Sequence, residues 1–197
     1  MALSGFQAQA HPQQVSRRWP DDVDAVDDRA THPLDFAEFN EQHGPFTIDV
    51  AAAAHNTKCA RYFTREQDGT AQDWSGERVW CNPPYSDIAP FVRKAWDCWA
   101  ETTGITMLLP ANRTEQQWWQ LLVEPYRDRP GSPLRTTFLP GRMRFLKPGQ
   151  TAVGPNNRPP FGCVLLVWDA GVDATVTYSP DRLPAGGLFD ADVEESR

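Results

Sequence analysis

Four consecutive residues, Asn82, Pro83, Pro84 and Tyr85, combine a side-chain amide, a stiffened backbone and an aromatic ring. Proline fixes φ and has no N–H, so the carbonyls of Asn82 and Pro83 cannot belong to a continuing helix or an inner strand. They must face another partner. An amide oxygen, a rigid carbonyl and an aromatic face together suit a flat ring that carries an amino group. A proline-rich turn around a packed tyrosine uses the same residues, and four positions alone do not separate the two readings.

The flanking sequence sets these residues between two elements. Residues 77–81 read as a short strand with Val79 and Cys81 on one face, and Ser86 or Asp87 is a suitable N-cap for a helix beginning near Ile88. Ile88, Phe91, Val92, Ala95 and Trp99 recur at helical spacing, with Pro90 in the tolerant first turn. The stretch therefore lies at the carboxyl end of a strand, where open α/β sheets bind their ligands.

Asn-Pro-Pro-Tyr resembles the catalytic motif of the amino-methyltransferases, which move a methyl group from S-adenosylmethionine to an amide or an exocyclic amine. The exocyclic nitrogen of adenine delocalises its lone pair into the ring and is a poor nucleophile. Two acceptors, the Asn82 side-chain oxygen and the Pro83 carbonyl, would draw it towards tetrahedral geometry without a strong base. Tyr85 would stack on the base once it has left the duplex, at an unstacking cost of roughly a few kcal/mol.

Upstream, Leu34, Phe36 and Phe39 mark a short helix ended by His43, Gly44 and Pro45. Residues 46–50 read as a strand carrying Asp49 near its end, and residues 51–60 as an alanine-rich helix. A strand-end acid before small residues suits ribose hydroxyls in nucleotide folds, and is also common as a merely solvated acid. Downstream, 104–110 reads as a strand. Residues 115–123 read as a helix whose Trp118, Trp119 and Leu122 suit a core better than a base-stacking platform. Residues 134–146, broken at Pro140 and Gly141, read as a hairpin carrying Arg135, Arg142 and Arg144, and 163–168 and 174–178 as two closing strands. Between them, 148–160 is a Gly-, Pro- and Asn-rich loop.

Several of these blocks, in order, resemble the Dam-like adenine-specific DNA methyltransferases encoded by bacteriophages and prophages. They are residues 46–56, Lys58 and Cys59, 61–64, Asp68 and Gly69, Asp73 and Trp74, 80–85, 108–110 with 113–115, 141–145, and Pro160 and Phe161. The resemblance covers about residues 31–170. It implies an α/β fold: a Rossmann-like S-adenosylmethionine-dependent methyltransferase domain with a central mixed sheet. It further implies Asn82, Pro83, Pro84 and Tyr85 at the target base, with double-stranded DNA as partner. Asp49, Ala51 and Asp73 are implied beside the cofactor. Thr31 and Pro33, separated by His32, resemble a threonine-proline element that lies near the methionine part of the cofactor in related enzymes. The chain lacks the Phe-x-Gly-x-Gly loop of the wider methyltransferase pattern. Residues 49–53 stand either in its place, with alanine for glycine, or at the later ribose-binding strand end. The motif also serves enzymes that methylate an RNA base or a protein glutamine, and loss of the glycine loop also fits a non-catalytic nucleic-acid or cofactor-binding module.

At 197 residues the chain suits one domain, read as 29–180, with a flexible arm over 1–28 and an acidic tail over 181–197. A 40% hydrophobic content with eight Trp and ten Phe is that of a folded globule, while 18 Pro and a mean hydropathy of −0.56 imply many loops. No apolar run nears the roughly 20 residues of a membrane span, and no apolar signal core opens the chain, so the expected location is cytoplasmic. The four cysteines and four histidines show no metal-ligand spacing, so no metal is expected. The net charge of −7 is uneven. Residues 113–147 carry seven basic against three acidic side chains, and residues 19–60 two against nine. This basic stretch makes Arg113, Arg142 and Arg144 the candidate DNA contacts, although a solvated charged face has the same composition.

Overall fold

A computed structural model of the protein describes residues 27–152 and 158–179. In chain order its elements are β1 (Ala30–Thr31), α1 (Pro33–His43), β2 (Ile48–Asp49), β3 (Arg61–Tyr62), β4 (Arg78–Cys81), α2 (Ala89–Cys98), β5 (Gly104–Pro110), α3 (Gln117–Leu122), β6 (Leu134–Phe138), β7 (Phe145–Leu146) and β8 (Cys163–Trp168). Six strands form one sheet in the order β3-β2-β4-β5-β8-β6. The first four run parallel, β8 is antiparallel to β5, and β6 is antiparallel to β8, so the sheet is mixed. β1 and β7 form a separate antiparallel pair.

Two apolar layers follow from the two-residue period of the strands. Val79, Cys81, Ile105, Met107 and Leu109 pack on one face against Phe91, Val92, Ala95 and Trp96 of α2 and Trp119 and Leu122 of α3. Trp80, Leu108 and Leu165 belong to the layer on the other face. There Trp80 meets Phe36, Phe39 and Phe46 at ring-centroid distances of 5.3, 5.8 and 5.4 Å. Trp80 is fully buried, and removing an aromatic of this size from water contributes about 1.5–3 kcal/mol. Trp80, two residues before Asn82, thus holds the end of β4 from the face opposite α2.

Several expected elements differ in the structure. Residues 51–60 form turns, not an alanine-rich helix, because side chains and a neighbouring strand take the N–H groups a helix needs. Ala52 N–H donates to the Phe63 carbonyl, Ala53 N–H to Asn56 Oδ1, and Lys58 N–H to Asp49 Oδ2. Residues 134–146 are no hairpin: β6 pairs with β8 and β7 with β1. Residues 174–178 form no strand. They lie as an extended cover in which Tyr178 stacks on Trp96 at 4.9 Å. α2 begins at Ala89 without a side-chain cap, because its N-cap is the apolar Ile88, and the Ser86 hydroxyl donates to Asp27 instead. Strand 46–50 shortens to β2, and helix 115–123 to α3.

The connections create one crevice of interest. β2 leads outward to β3, whereas β4, on the other side of β2, leads to β5. The winding reverses between β2 and β4, and such a switch point is where an open α/β sheet receives a ligand at its carboxyl ends. Asp49 ends β2 and Asn82 comes directly after β4.

Candidate active site

Asn82 leaves β4 at its carboxyl end, and two prolines stop the strand pairing there. Its amide nitrogen donates to the Arg29 carbonyl at 3.3 Å. Its amide oxygen is buried and has no partner among the described residues. No described group donates to the Pro83 carbonyl, whereas the Pro84 carbonyl accepts Asp87 N–H at 3.0 Å and tightens the turn into α2. Acceptors on two consecutive residues are thus without a donor among the described residues.

Tyr85 packs edge-on to Phe145 at 6.3 Å and tilted to Phe161 at 6.0 Å. Burial, with the Cys163 thiol beside it, raises its hydroxyl well above the ordinary range, so the phenol stays neutral. Asp27, Arg29, Asn82, Pro83, Tyr85, Phe145 and Phe161 line a cavity of about 50 Å³. That volume holds a few waters.

Across the switch point Asp49 is 3% exposed. Its carboxylate accepts Lys58 N–H at 3.0 Å and Ala51 N–H at 3.4 Å. Burial pushes this carboxyl up to about 6, against the opposing pull of those two N–H groups and the Lys58 charge. The same burial, with Asp49 nearby, lifts the Cys59 thiol to about 12, and Cys163 is lifted to about 12 by burial. Neither sulfur is a thiolate nucleophile near neutral pH. Thr31, in β1, is 1% exposed, its Oγ1 has no partner among the described residues, and Pro33 opens α1. β1 reaches the site through Arg29, two residues before Thr31.

A sequence model of the DNA N-6-adenine-methyltransferase (Dam) family matches residues 22–170, which hold all of these groups. The chain belongs to this family. Over 50 residues it is 46% identical to a DNA N-6-adenine-methyltransferase of Haemophilus phage HP1, a stretch covering 25% of this chain and 29% of that protein. Over 93 residues it is 33% identical to a DNA N-6-adenine-methyltransferase of Escherichia phage T1, covering 46% of this chain and 39% of that protein. The matched stretches thus span well under half the length of either relative.

Asp73, Arg113, Arg142 and Arg144 lie outside the lining of this cavity. Asp73 is exposed and stands before β4, at the amino-terminal edge of the sheet, where it accepts Ser75 N–H at 2.9 Å and Ser75 O–H at 2.6 Å. These bonds hold its carboxyl below the usual range. It is not brought together with Asp49 and Asn82, because β4 carries the chain away from it. Arg113 is half-buried and donates to the Tyr85 carbonyl, so it braces the turn. Arg144 pairs with Asp35 of α1. Arg142 is exposed, with no described partner.

Sequence reasoning missed Asp27, Asp28 and Arg29 at this site, and also the lining role of Phe145 and Phe161. Both phenylalanines stand in matched blocks, which is a signal that something holds them. Asp27 and Asp28 sit in an acidic run that reads as a solvated arm. Among the described residues no group of three or more His, Cys, Asp or Glu could hold a metal ion, and no helix is long and apolar enough to cross a membrane.

Proposed function

We propose that this protein is a Rossmann-like, S-adenosylmethionine-dependent enzyme that methylates the exocyclic amine of adenine in double-stranded DNA. The observation that carries this reading is the buried Asn82 Oδ1, without a partner among the described residues, on the residue before the Pro83 carbonyl, to which no described group donates, at the switch point shared with Asp49, in a Dam-family chain. The residues fit the donor. Thr31 Oγ1 is a buried polar atom awaiting a partner, and two N–H bonds leave the Asp49 carboxylate room to accept a ribose hydroxyl. Ala51 and Pro33 flank these two groups in sequence. When bound, S-adenosylmethionine supplies an electrophilic methyl group.

The chain's own residues prepare the nucleophile. Asn82 Oδ1 and the Pro83 carbonyl each accept one hydrogen of the amine, which localises the nitrogen lone pair. After transfer the nitrogen carries a surplus proton, which passes to solvent, so no strong base is required. Pro84 stiffens the turn that holds both acceptors. Tyr85 offers its ring to the extruded base, with Phe145 and Phe161 behind it. Keeping the phenol neutral avoids a buried charge beside the base.

Residues 29–180 make up the methyltransferase domain in this reading, joined to the 1–28 arm through Asp27 and Asp28 and succeeded by the 181–197 tail. DNA approaches along the basic stretch 113–147. Arg142 is the cation best suited to take a phosphate, with Arg113 and Arg144 adding charge while they brace the motif turn and α1. The phage origin of both relatives supports an enzyme that works on DNA in the cytoplasm of a bacterial host.

The test is methyl transfer from labelled S-adenosylmethionine to duplex DNA, with nucleoside analysis of the product. Label on the exocyclic amine of adenine is expected. Label confined to cytosine, to RNA or to protein overturns the reading.

A further inference from the structure

Residues 27–29 are tied to both halves of the site. Asp27 accepts Ser86 N–H at 3.2 Å and Ser86 O–H at 2.5 Å, directly after the Asn82 motif. Asp28 Oδ1 contacts His55 Nε2 at 3.0 Å and accepts Asn56 Nδ2–H at 2.9 Å, in the loop after Asp49. Asn56 is itself fixed, since its Oδ1 takes Ala53 N–H at 2.7 Å. Just beyond these two anchors the Arg29 carbonyl accepts Asn82 Nδ2–H. The result is a strap laid from the cofactor-side loop to the motif.

This strap decides which way the Asn82 amide points. The oxygen and nitrogen ends of an amide have nearly the same shape, and only hydrogen bonding distinguishes them. A carbonyl only accepts, so the Arg29 carbonyl selects the nitrogen end and turns Oδ1 away into a position with no protein donor among the described residues. A reversed amide would present donors to the hydrogens of an amine and repel it. We propose that Asp27 and Asp28 are positioning residues that, through the Arg29 carbonyl, set the end of the Asn82 amide that faces the target amine. This inference rests on the methyltransferase reading above, and its test includes an arm that does not depend on methyl transfer.

The activity arm compares single-turnover rates of wild type, Asp27→Ala, Asp27→Asn, Asn82→Ala and the Asp27→Ala/Asn82→Ala double variant. Loss of one anchor misplaces the acceptor, so Asp27→Ala slows transfer on the order of tenfold. Cofactor affinity by calorimetry and DNA affinity stay within about twofold, well under the tenfold that 1.4 kcal/mol represents. Asp27→Asn keeps an acceptor oxygen for Ser86 and restores most of the rate. The double variant is no slower than Asn82→Ala alone, because the strap acts through that amide. Additive losses in the double variant overturn the proposal, as would be the case if Asp27 worked through Arg113. A faster Asp27→Ala also overturns it, since the strap would then obstruct the base.

The second arm reads the Asn82 side-chain amide by nitrogen-15 NMR, assigned by its disappearance in Asn82→Ala. Asp27→Ala should shift both Nδ2–H resonances and speed their solvent exchange. An unmoved amide overturns the proposal whatever the rates show. An amide that moves in a protein unable to methylate adenine supports the strap and sinks the functional reading instead.

Discussion

At the scale of single residues, the proposed mechanism assigns chemistry and cofactor capture to different side chains. Asn82 Oδ1 has no protein partner among the described residues, so in the proposed mechanism its contribution appears when the amine arrives. Asn82→Ala should therefore lower turnover on the order of a hundredfold or more, with cofactor affinity little changed. Tyr85→Phe should be mild, because stacking does not need the hydroxyl, and the Cys163 thiol beside it is a weak hydrogen-bond partner. Tyr85→Ala should mainly raise KM for DNA. Asp49 makes a separate prediction about pH. Its carboxyl lies near 6 in the folded protein against an ordinary 3.8, so the native state binds the proton more tightly than the unfolded chain does. Its contribution to stability is thus greatest below 3.8 and falls as pH rises to about 6. Thermal unfolding of wild type and Asp49→Asn across this window should show the variant gaining on wild type as pH rises. A constant difference contradicts the raised value. The position of the Asn82 to Tyr85 turn after β4 is legible in the sequence because two adjacent prolines mark it. The strap is not, since its bonds to the motif join residues 53 and 59 positions apart.

At the scale of elements, legibility follows the locality of the pairing. β5 and β8 are apparent from the sequence because both are continuous apolar runs, as expected of strands buried on two faces. The supposed hairpin over 134–146 fails because each half finds a distant partner, β8 for β6 and β1 for β7. No local pattern encodes that choice. The alanine-rich stretch misleads for a similar reason. Helix propensity amounts to tenths of a kcal/mol per residue, and it yields to the Asp49, Asn56 and Phe63 acceptors that claim its N–H groups. Gly69 shows how tightly this loop is held. A Cβ there would stand 2.0 Å from the Val50 carbonyl oxygen, and the Gly69 carbonyl also accepts the Trp74 indole N–H at 2.8 Å. Gly69→Ala should destabilise the fold by about 1–3 kcal/mol and weaken cofactor binding through displacement of residues 50 and 51. Urea unfolding and calorimetry check the two effects. Unchanged values for both would mean that the loop yields freely.

For the whole molecule, the relevant quantity is where charge lies, not its net value of −7. Three arginines of the basic stretch have different structural duties, and the predictions differ accordingly. Arg142 is exposed and without a described partner, so Arg142→Ala should reduce the salt slope of DNA binding by about one unit and leave thermal stability unchanged. Arg144 is held by Asp35 across to α1, so Arg144→Ala should lower the melting temperature as well. Arg113 braces the Tyr85 carbonyl, so Arg113→Ala should slow methyl transfer by loosening the motif turn. DNA binding at several salt concentrations, with melting curves, distinguishes these outcomes. Equal and negligible effects on binding would move the DNA to another face. The central claim is that a resident acceptor pair at the switch point activates the adenine amine. Its most direct measurement is the rate of N6-methyladenine formation in duplex DNA by wild type and Asn82→Ala at saturating S-adenosylmethionine, with cofactor affinity measured in parallel. The expected result is N6-methyladenine from the wild type, on the order of a hundredfold less from the variant, and closely similar cofactor affinities. Equal rates in the two proteins, or cofactor binding without any adenine methylation by the wild type, would contradict it.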